Sequence, residues 1–274
     1  MASKTAHYVS GHHESVLRSH AMRTTADSAA YLVSSIRPYM HILDVGCGPG
    51  SITADFAALV PQGKVVGLEP VAPPLEAARA TVEGRELKNA EFVVEDVHKL
   101  DFGDNTFDVA HCHQVLQHVG DPVQALREMK RVTKEGGYVA VRECDFSIMT
   151  WFPEVEGLQE WQSLWTKVAR ANGGEPNAGR RLVCWALEAG FARDKIKATT
   201  TAWCFSTPEE RAWWGGMWAD RVIASDFAKT VVEGGYGTAE GLQRISGAWK
   251  EWTKKEDGWF TVVSGEILCT VENT

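Results

Sequence analysis

Three glycines fall within five positions in Asp44-Val45-Gly46-Cys47-Gly48-Pro49-Gly50, directly after the apolar run that starts at residue 41. Glycine lets a backbone turn tightly and lets a ligand approach with no Cβ in the way, so this loop reads as a ligand contact. No lysine follows Gly50, which excludes the phosphate-cradling G-x-x-x-x-G-K-[ST] loop. The spacing G-x-G-x-G is one residue shorter than the dinucleotide fingerprint, and that counts against a nicotinamide-dependent oxidoreductase. Glu69, followed by Pro70, closes a second apolar run, where a carboxylate can accept from both hydroxyls of a ribose. Asp96 closes a third run; it can accept from an amino group such as that of adenine, with Val97 packing beside the ring. A fourth run brings His113 and Gln114 to the same edge, with His118 just beyond.

These acids and imidazoles bound the chemistry. His113 and His118 are the candidate catalytic groups, serving as general bases if the acceptor is a hydroxyl or an amine. A thiol acceptor is already partly ionised near neutral pH and needs no base. Cys47 suits the loop because it is small, not as a nucleophile. All eleven tryptophans lie at or after Trp151. Trp151, Phe152, Trp214 and Trp218 are the expected walls of a pocket for a flat, mostly apolar small molecule, Trp214 and Trp218 sharing a helix face. Filling a core is the competing reading for each tryptophan. No metal is expected: the histidines are not spaced as a ligand set and there is no C-x-x-C pair.

To bring those residues together, strands and helices must alternate. Apolar runs at 41–46, 64–70, 90–96, 107–113 and 138–144 read as buried strands, with helices at 51–60, 73–84 and 122–133 between them. Pro38 ends an earlier helix over 25–36. That order predicts an α/β, Rossmann-like, doubly wound sheet. After residue 145 the pattern becomes helix 154–171, helix 178–189, strand 194–206, helices 208–228 and 238–255, and strand 258–271. The late strands join the sheet, one of them antiparallel, giving seven strands in all. The expected organisation is a single domain over 1–274. Within it lie an N-terminal helical lid (1–38), a cofactor-binding core (39–145) and two pocket-forming insertions (146–178 and 207–257).

The net charge of −8, with no basic block, argues against nucleic acid or an anionic membrane as partner. No apolar run approaches a membrane span, and residues 1–13 lack the apolar core of a signal peptide. Six scattered cysteines fit a reducing, cytoplasmic setting.

The ordered set "ILDVGCGPG", "VVGLEP" and the long stretch from "VEDVHKL" to "GGYVAV" resembles the class I S-adenosylmethionine-dependent methyltransferases. It is most similar to the ubiquinone/menaquinone C-methyltransferases and their small-molecule relatives, over about residues 40–145. That resemblance implies S-adenosylmethionine as cofactor. Gly46, Cys47, Gly48 and Gly50, after Asp44, would lie against its methionine part, Glu69 on the ribose, and Asp96–Val97 on the adenine. The opening residues 8–32 are similar to a subset of secondary-metabolism methyltransferases, including fungal enzymes that S-methylate dithiols of epidithiodiketopiperazines. There the N-terminal helices cover the cofactor, which makes Tyr8, His12 and Arg23 candidate lid residues and sets Arg23 toward the methionine carboxylate. The expected reaction is methyl transfer to a small metabolite, with a thiol as the preferred acceptor. C- or O-methylation of a quinol or polyketide, and a non-catalytic cofactor-binding regulator, are the alternatives.

Overall fold

The structure, a computed structural model, describes residues 22–272. Among them are eight strands: β1 (His41–Val45), β2 (Lys64–Glu69), β3 (Ala90–Val94), β4 (Phe107–His113), β5 (Thr133–Cys144), β6 (Thr150–Phe152), β7 (Ile196–Phe205) and β8 (Trp259–Thr270). They form one sheet in which β3-β2-β1-β4-β5 pair in parallel. Strand β8 lies antiparallel to β5 on one edge and to β7 on the other. Among the described strands β8 alone runs against the rest, as the sequence predicts. The three-residue β6 is an addition: it continues the β5 edge of β8, with Phe152 opposite Trp259.

Local sequence explains the helices that cover the sheet. Between β4 and β5, helix Pro122–Val132 opens with Asp121, whose carboxylate accepts from the Gln124 N–H at 2.8 Å. Its Ala125, Leu126, Met129 and Val132 fall on one face and pack with Leu43 and Val45 beneath the sheet. On the opposite face Leu32, Phe56 and Ile42 form a second core. The long helix Pro208–Ala224 starts at a reciprocal cap, Thr207 with Glu210. Two expected helices are broken. The segment 25–36 splits into Thr25–Ser28 and Ala30–Val33, because Ala29 leaves helical geometry. The segment 208–228 breaks at Ser225, which caps a new helix, Asp226–Glu233. Helices Leu158–Ala171, Pro208–Ala224 and Ala239–Trp252 enclose a third core, largely aromatic, around Trp161, Trp218 and Trp249.

Candidate active site

Strand order reverses between β1 and β4, so the carboxyl ends of the strands open a crevice there. Gly46, Gly48 and Gly50 line up along its floor with φ of 66°, 55° and 78°. A Cβ on Gly46 would stand 2.4 Å from Val115 Cγ2, and one on Gly50 would stand 2.9 Å from the Ala78 backbone. Side chains at those two positions are therefore excluded by contact as well as by conformation. Gly50 also begins the helix Ser51–Leu59, whose first N–H groups face the loop.

Glu69, at the tip of β2, accepts the Gly48 N–H at 2.6 Å through Oε1. Burial pushes its carboxyl up to about 7, against the pull of that N–H, with Asp44 adding to the rise. Oε2 takes no hydrogen bond from the described residues, which leaves it for a donor in the crevice. Pro70 is exposed at the end of the same strand.

Asp44 is placed differently from expectation. Its Oδ2 accepts from the Thr53 hydroxyl at 2.6 Å and its Oδ1 stands 2.8 Å from His111 Nδ1, all three groups buried. Both oxygens are thus spent inside the fold, and Asp44 fastens β1 to β4 and to the helix after the loop. Cys47 is buried, and burial pushes its thiol up with the carboxylates of Asp44 and Glu69 adding to the effect. It stays a thiol.

Asp96 is exposed at the end of β3. Partial burial favours its protonated form, but the His98 N–H (2.9 Å) and ring (2.6 Å) win and hold it below the usual carboxylate range. Val97 is buried and belongs to the core that includes Leu100 and Leu126. Gln114 sits at φ 55°, rare for a residue with a side chain, and its Oε1 accepts from Arg23 at 2.8 Å.

Beside the crevice lies a cavity of about 570 Å³, lined by Gln114, Gln117 and His118 after β4 and by Arg23 from the N-terminal side. Its walls are aromatic: Phe146, Trp165, Trp203, Phe205, Trp213, Trp214 and Trp218, with Glu209 among the lining residues. Phe205 stacks on Trp214 with centroids 4.3 Å apart. The Trp203 indole N–H donates to the Asp27 carbonyl at 3.1 Å, tying β7 to the N-terminal segment. Below Trp203, the guanidinium of the buried Arg142 stands 4.7 Å from the ring, with Nε 3.1 Å from the Thr201 hydroxyl.

The sequence-predicted residues therefore divide. Arg23, Gln114, His118, Trp214 and Trp218 meet at the cavity. His113 does not line it: the ring is buried, 5.7 Å from Trp203. Trp151 stacks on Phe260 in the aromatic core and Phe152 is exposed, because successive side chains of β6 point to opposite faces of the sheet, and neither lines the cavity. Tyr8 and His12 lie outside the described residues. Sequence reasoning missed Trp203 and Phe205, which sit on a strand read as sheet, and Arg221, which follows Trp218 at helical spacing. Burial and the charges of Arg23 and Arg221 lower His118 to about 3, so it is neutral at physiological pH. Among the described residues no cluster of His, Cys, Asp and Glu fits a metal ion, and no helix is long and apolar enough to cross a membrane.

Fold and crevice together define a methyltransferase of the Rossmann-like class. Residues 36–202 match the family described as Methyltransferase domain, and the chain belongs to it. An uncharacterized methyltransferase of Schizosaccharomyces pombe is 35% identical, covering 97% of each chain. A protein of Aspergillus luteorubrus bearing the name "Probable methyltransferase ltbC" is 27% identical over 97% of this chain and 98% of its own. Among solved structures, a Haemonchus contortus phosphoethanolamine N-methyltransferase holding S-adenosylhomocysteine has the same fold. Its TM-score is 0.54 at 16% identity, over 86% of this chain and 50% of that one. The chain is a methyltransferase enzyme, and S-adenosylmethionine is its cofactor.

Proposed function

We propose that the chain methylates a small, flat, mostly apolar metabolite, and that the acceptor atom is a thiol sulfur of a reduced dithiol such as an epidithiodiketopiperazine. The observation that carries this reading is the aromatic cavity lined by Gln114, whose neighbour Val115 packs against Gly46 of the glycine loop, with His118 as a neutral imidazole in its wall. The residues present fit the cofactor. Gly46 and Gly50 take left-handed turns that Val115 and Ala78 close against, which holds the loop tight at the strand tip, Glu69 keeps Oε2 for the ribose, and Asp96 stands just beyond the next strand tip for the adenine. Arg23 and Gln114, bonded to each other, would close over the methionine end.

When bound, S-adenosylmethionine would supply a methyl group already activated on a sulfonium, its methyl–sulfur bond breaking to leave S-adenosylhomocysteine as the acceptor gains the methyl and gives up a proton. The protein's share is alignment and exclusion of water, which the indole walls supply. A histidine lowered to about 3 is a poor base for a hydroxyl. A thiol, already partly ionised near neutral pH, asks less of a base than a hydroxyl does, and the Arg23 and Arg221 charges at the cavity favour its thiolate, which favours sulfur over oxygen. All six cysteines are unpaired, which fits a reducing, cytoplasmic setting for such an acceptor. The volume suits a single small molecule and gives no basic track for a polymer.

The test is incubation with methyl-labelled cofactor and a panel of dithiol, phenol and quinol acceptors, with products identified by mass and fragmentation. Label on sulfur is expected. Label confined to oxygen or carbon would replace the thiol reading with that of a quinol or polyketide methyltransferase.

A further inference from the structure

Glu143, near the end of β5, is fully buried and does not line the cavity. Its carboxylate nevertheless reaches across to the turn after β4. Oε1 accepts the N–H groups of Val115 (2.8 Å) and Leu116 (2.7 Å), and Oε2 accepts that of Gln117 at 3.3 Å. Two neighbours reinforce the same turn. The Arg142 carbonyl accepts the Gln114 N–H at 2.8 Å, and the Cys144 thiol donates to Gln117 Oε1 at 3.0 Å. Three successive residues of β5 thus grip four successive residues that follow β4.

That turn is where the two halves of the site meet. Val115 packs against Gly46 of the cofactor loop, close enough that a Cβ on Gly46 would collide with it. Gln114, Gln117 and His118 line the acceptor cavity, and Gln114 also receives Arg23. Gln114 holds a left-handed backbone that a side chain disfavours, so the turn needs compensating bonds to keep it.

We propose that Glu143 is the positioning residue for methyl transfer, its carboxylate setting where this turn stands between cofactor loop and acceptor. The inference rests on the methyl-transfer reading of the site. Burial of a carboxyl beside Tyr31 on helix Ala30–Val33, Cys112 on β4 and Cys144 on β5 is unfavourable in itself, and the Arg23 guanidinium on the N-terminal segment offsets only part of that cost. Its carboxyl is pushed up to about 7 by that burial, against three N–H bonds that hold it down. A group serving packing alone gains nothing from being acidic there.

The decisive variant is Glu143→Gln, which keeps the volume and removes the charge but turns one acceptor into a donor. The melting temperature should hold within a few degrees. Amide exchange at residues 115–117 should quicken about tenfold or more. Turnover of the accepted substrate should fall about tenfold or more in kcat, with S-adenosylhomocysteine affinity changed less than about threefold. Glu143→Asp, which keeps two acceptors, should recover part of kcat. Unchanged exchange at 115–117, or a kcat loss that merely follows the folded fraction, would overturn the proposal. If no acceptor on the panel is methylated by the unmodified chain, it is the acceptor assignment that fails. The exchange measurement, with calorimetry using S-adenosylhomocysteine, then decides the role of Glu143 by itself. Should Glu143→Gln not fold, Glu143→Asp is read by the same exchange and calorimetry. An unaltered turn with the shortened side chain would count against the proposal.

Discussion

His111 Nδ1 on β4 stands 2.8 Å from Asp44 Oδ1 on β1, and the Thr53 hydroxyl closes on the other oxygen at 2.6 Å. The carboxylate thus assigns Nδ1 as the proton-bearing nitrogen of His111. Asp44→Asn would set an amide N–H₂ against one of these two donors inside a dry core. A loss of about 1–3 kcal/mol in denaturant unfolding is expected. Because the glycine loop begins two residues later, S-adenosylhomocysteine should also bind more weakly by calorimetry. Full affinity in the folded variant would detach Asp44 from the loop.

Glu69 gives a pH dependence whose sign runs against the usual carboxylate. Its native pKa, about 7, lies above the ordinary glutamate value of 4.5. Between those values the native state keeps a proton that the unfolded chain has released, so this group's contribution to stability falls as pH rises from about 4.5 to about 7 and stays lost above it. Glu69→Gln removes that slope. Its unfolding free energy should gain on that of the unmodified chain between pH 5 and pH 8, by about 1–2 kcal/mol after allowance for partial exposure, read as a rising melting temperature. Cofactor affinity should drop about 10–100-fold in the same variant. A constant melting difference across that range would show that the carboxylate is not strained by burial.

The aromatic cluster separates support from contact. Trp161 is fully buried, with its ring 4.6 Å from Trp218 and 4.9 Å from Trp249, and it does not line the cavity. Truncation to alanine should destabilise by about 3–5 kcal/mol. Trp213 is half-buried and on the cavity wall. Trp213→Ala should leave the melting temperature nearly unchanged and raise the acceptor KM about tenfold. Equal stability losses in the two variants would make Trp213 a core residue too.

Strands that form the parallel sheet were legible because each is a short apolar run bounded by turn residues, and the tips of β1 and β2 carried the cofactor signature in plain order. Most of what escaped notice depends on contacts distant in sequence. Nothing local marks Ala29 as a break, whereas Ser225 followed by Asp226 is a local capping signal that the apolar spacing across it masked. Trp151 and Trp203 are the same residue type in similar strand contexts. One turns onto Phe260 and the other onto the cavity only through their pairing with β8. His113 and His118, five residues apart, looked equivalent in the sequence. The turn between them sends one under Trp203 and the other to the cavity wall. Asp44 resembled a ligand-facing acid because its partners, Thr53 and His111, are 9 and 67 positions away.

Strand β8 inserts between β5 and β7 and runs against both, and the tryptophan-bearing helices all follow β5 in the chain. A seam results along β5. The residues proposed to grip the nucleoside all come before it, and the aromatic walls of the acceptor's chamber all come after it. Such a chain can trade one recipient molecule for another by redrawing the indole-bearing loops while the donor half stays untouched. Only the few bonds that cross the seam need be preserved in the exchange.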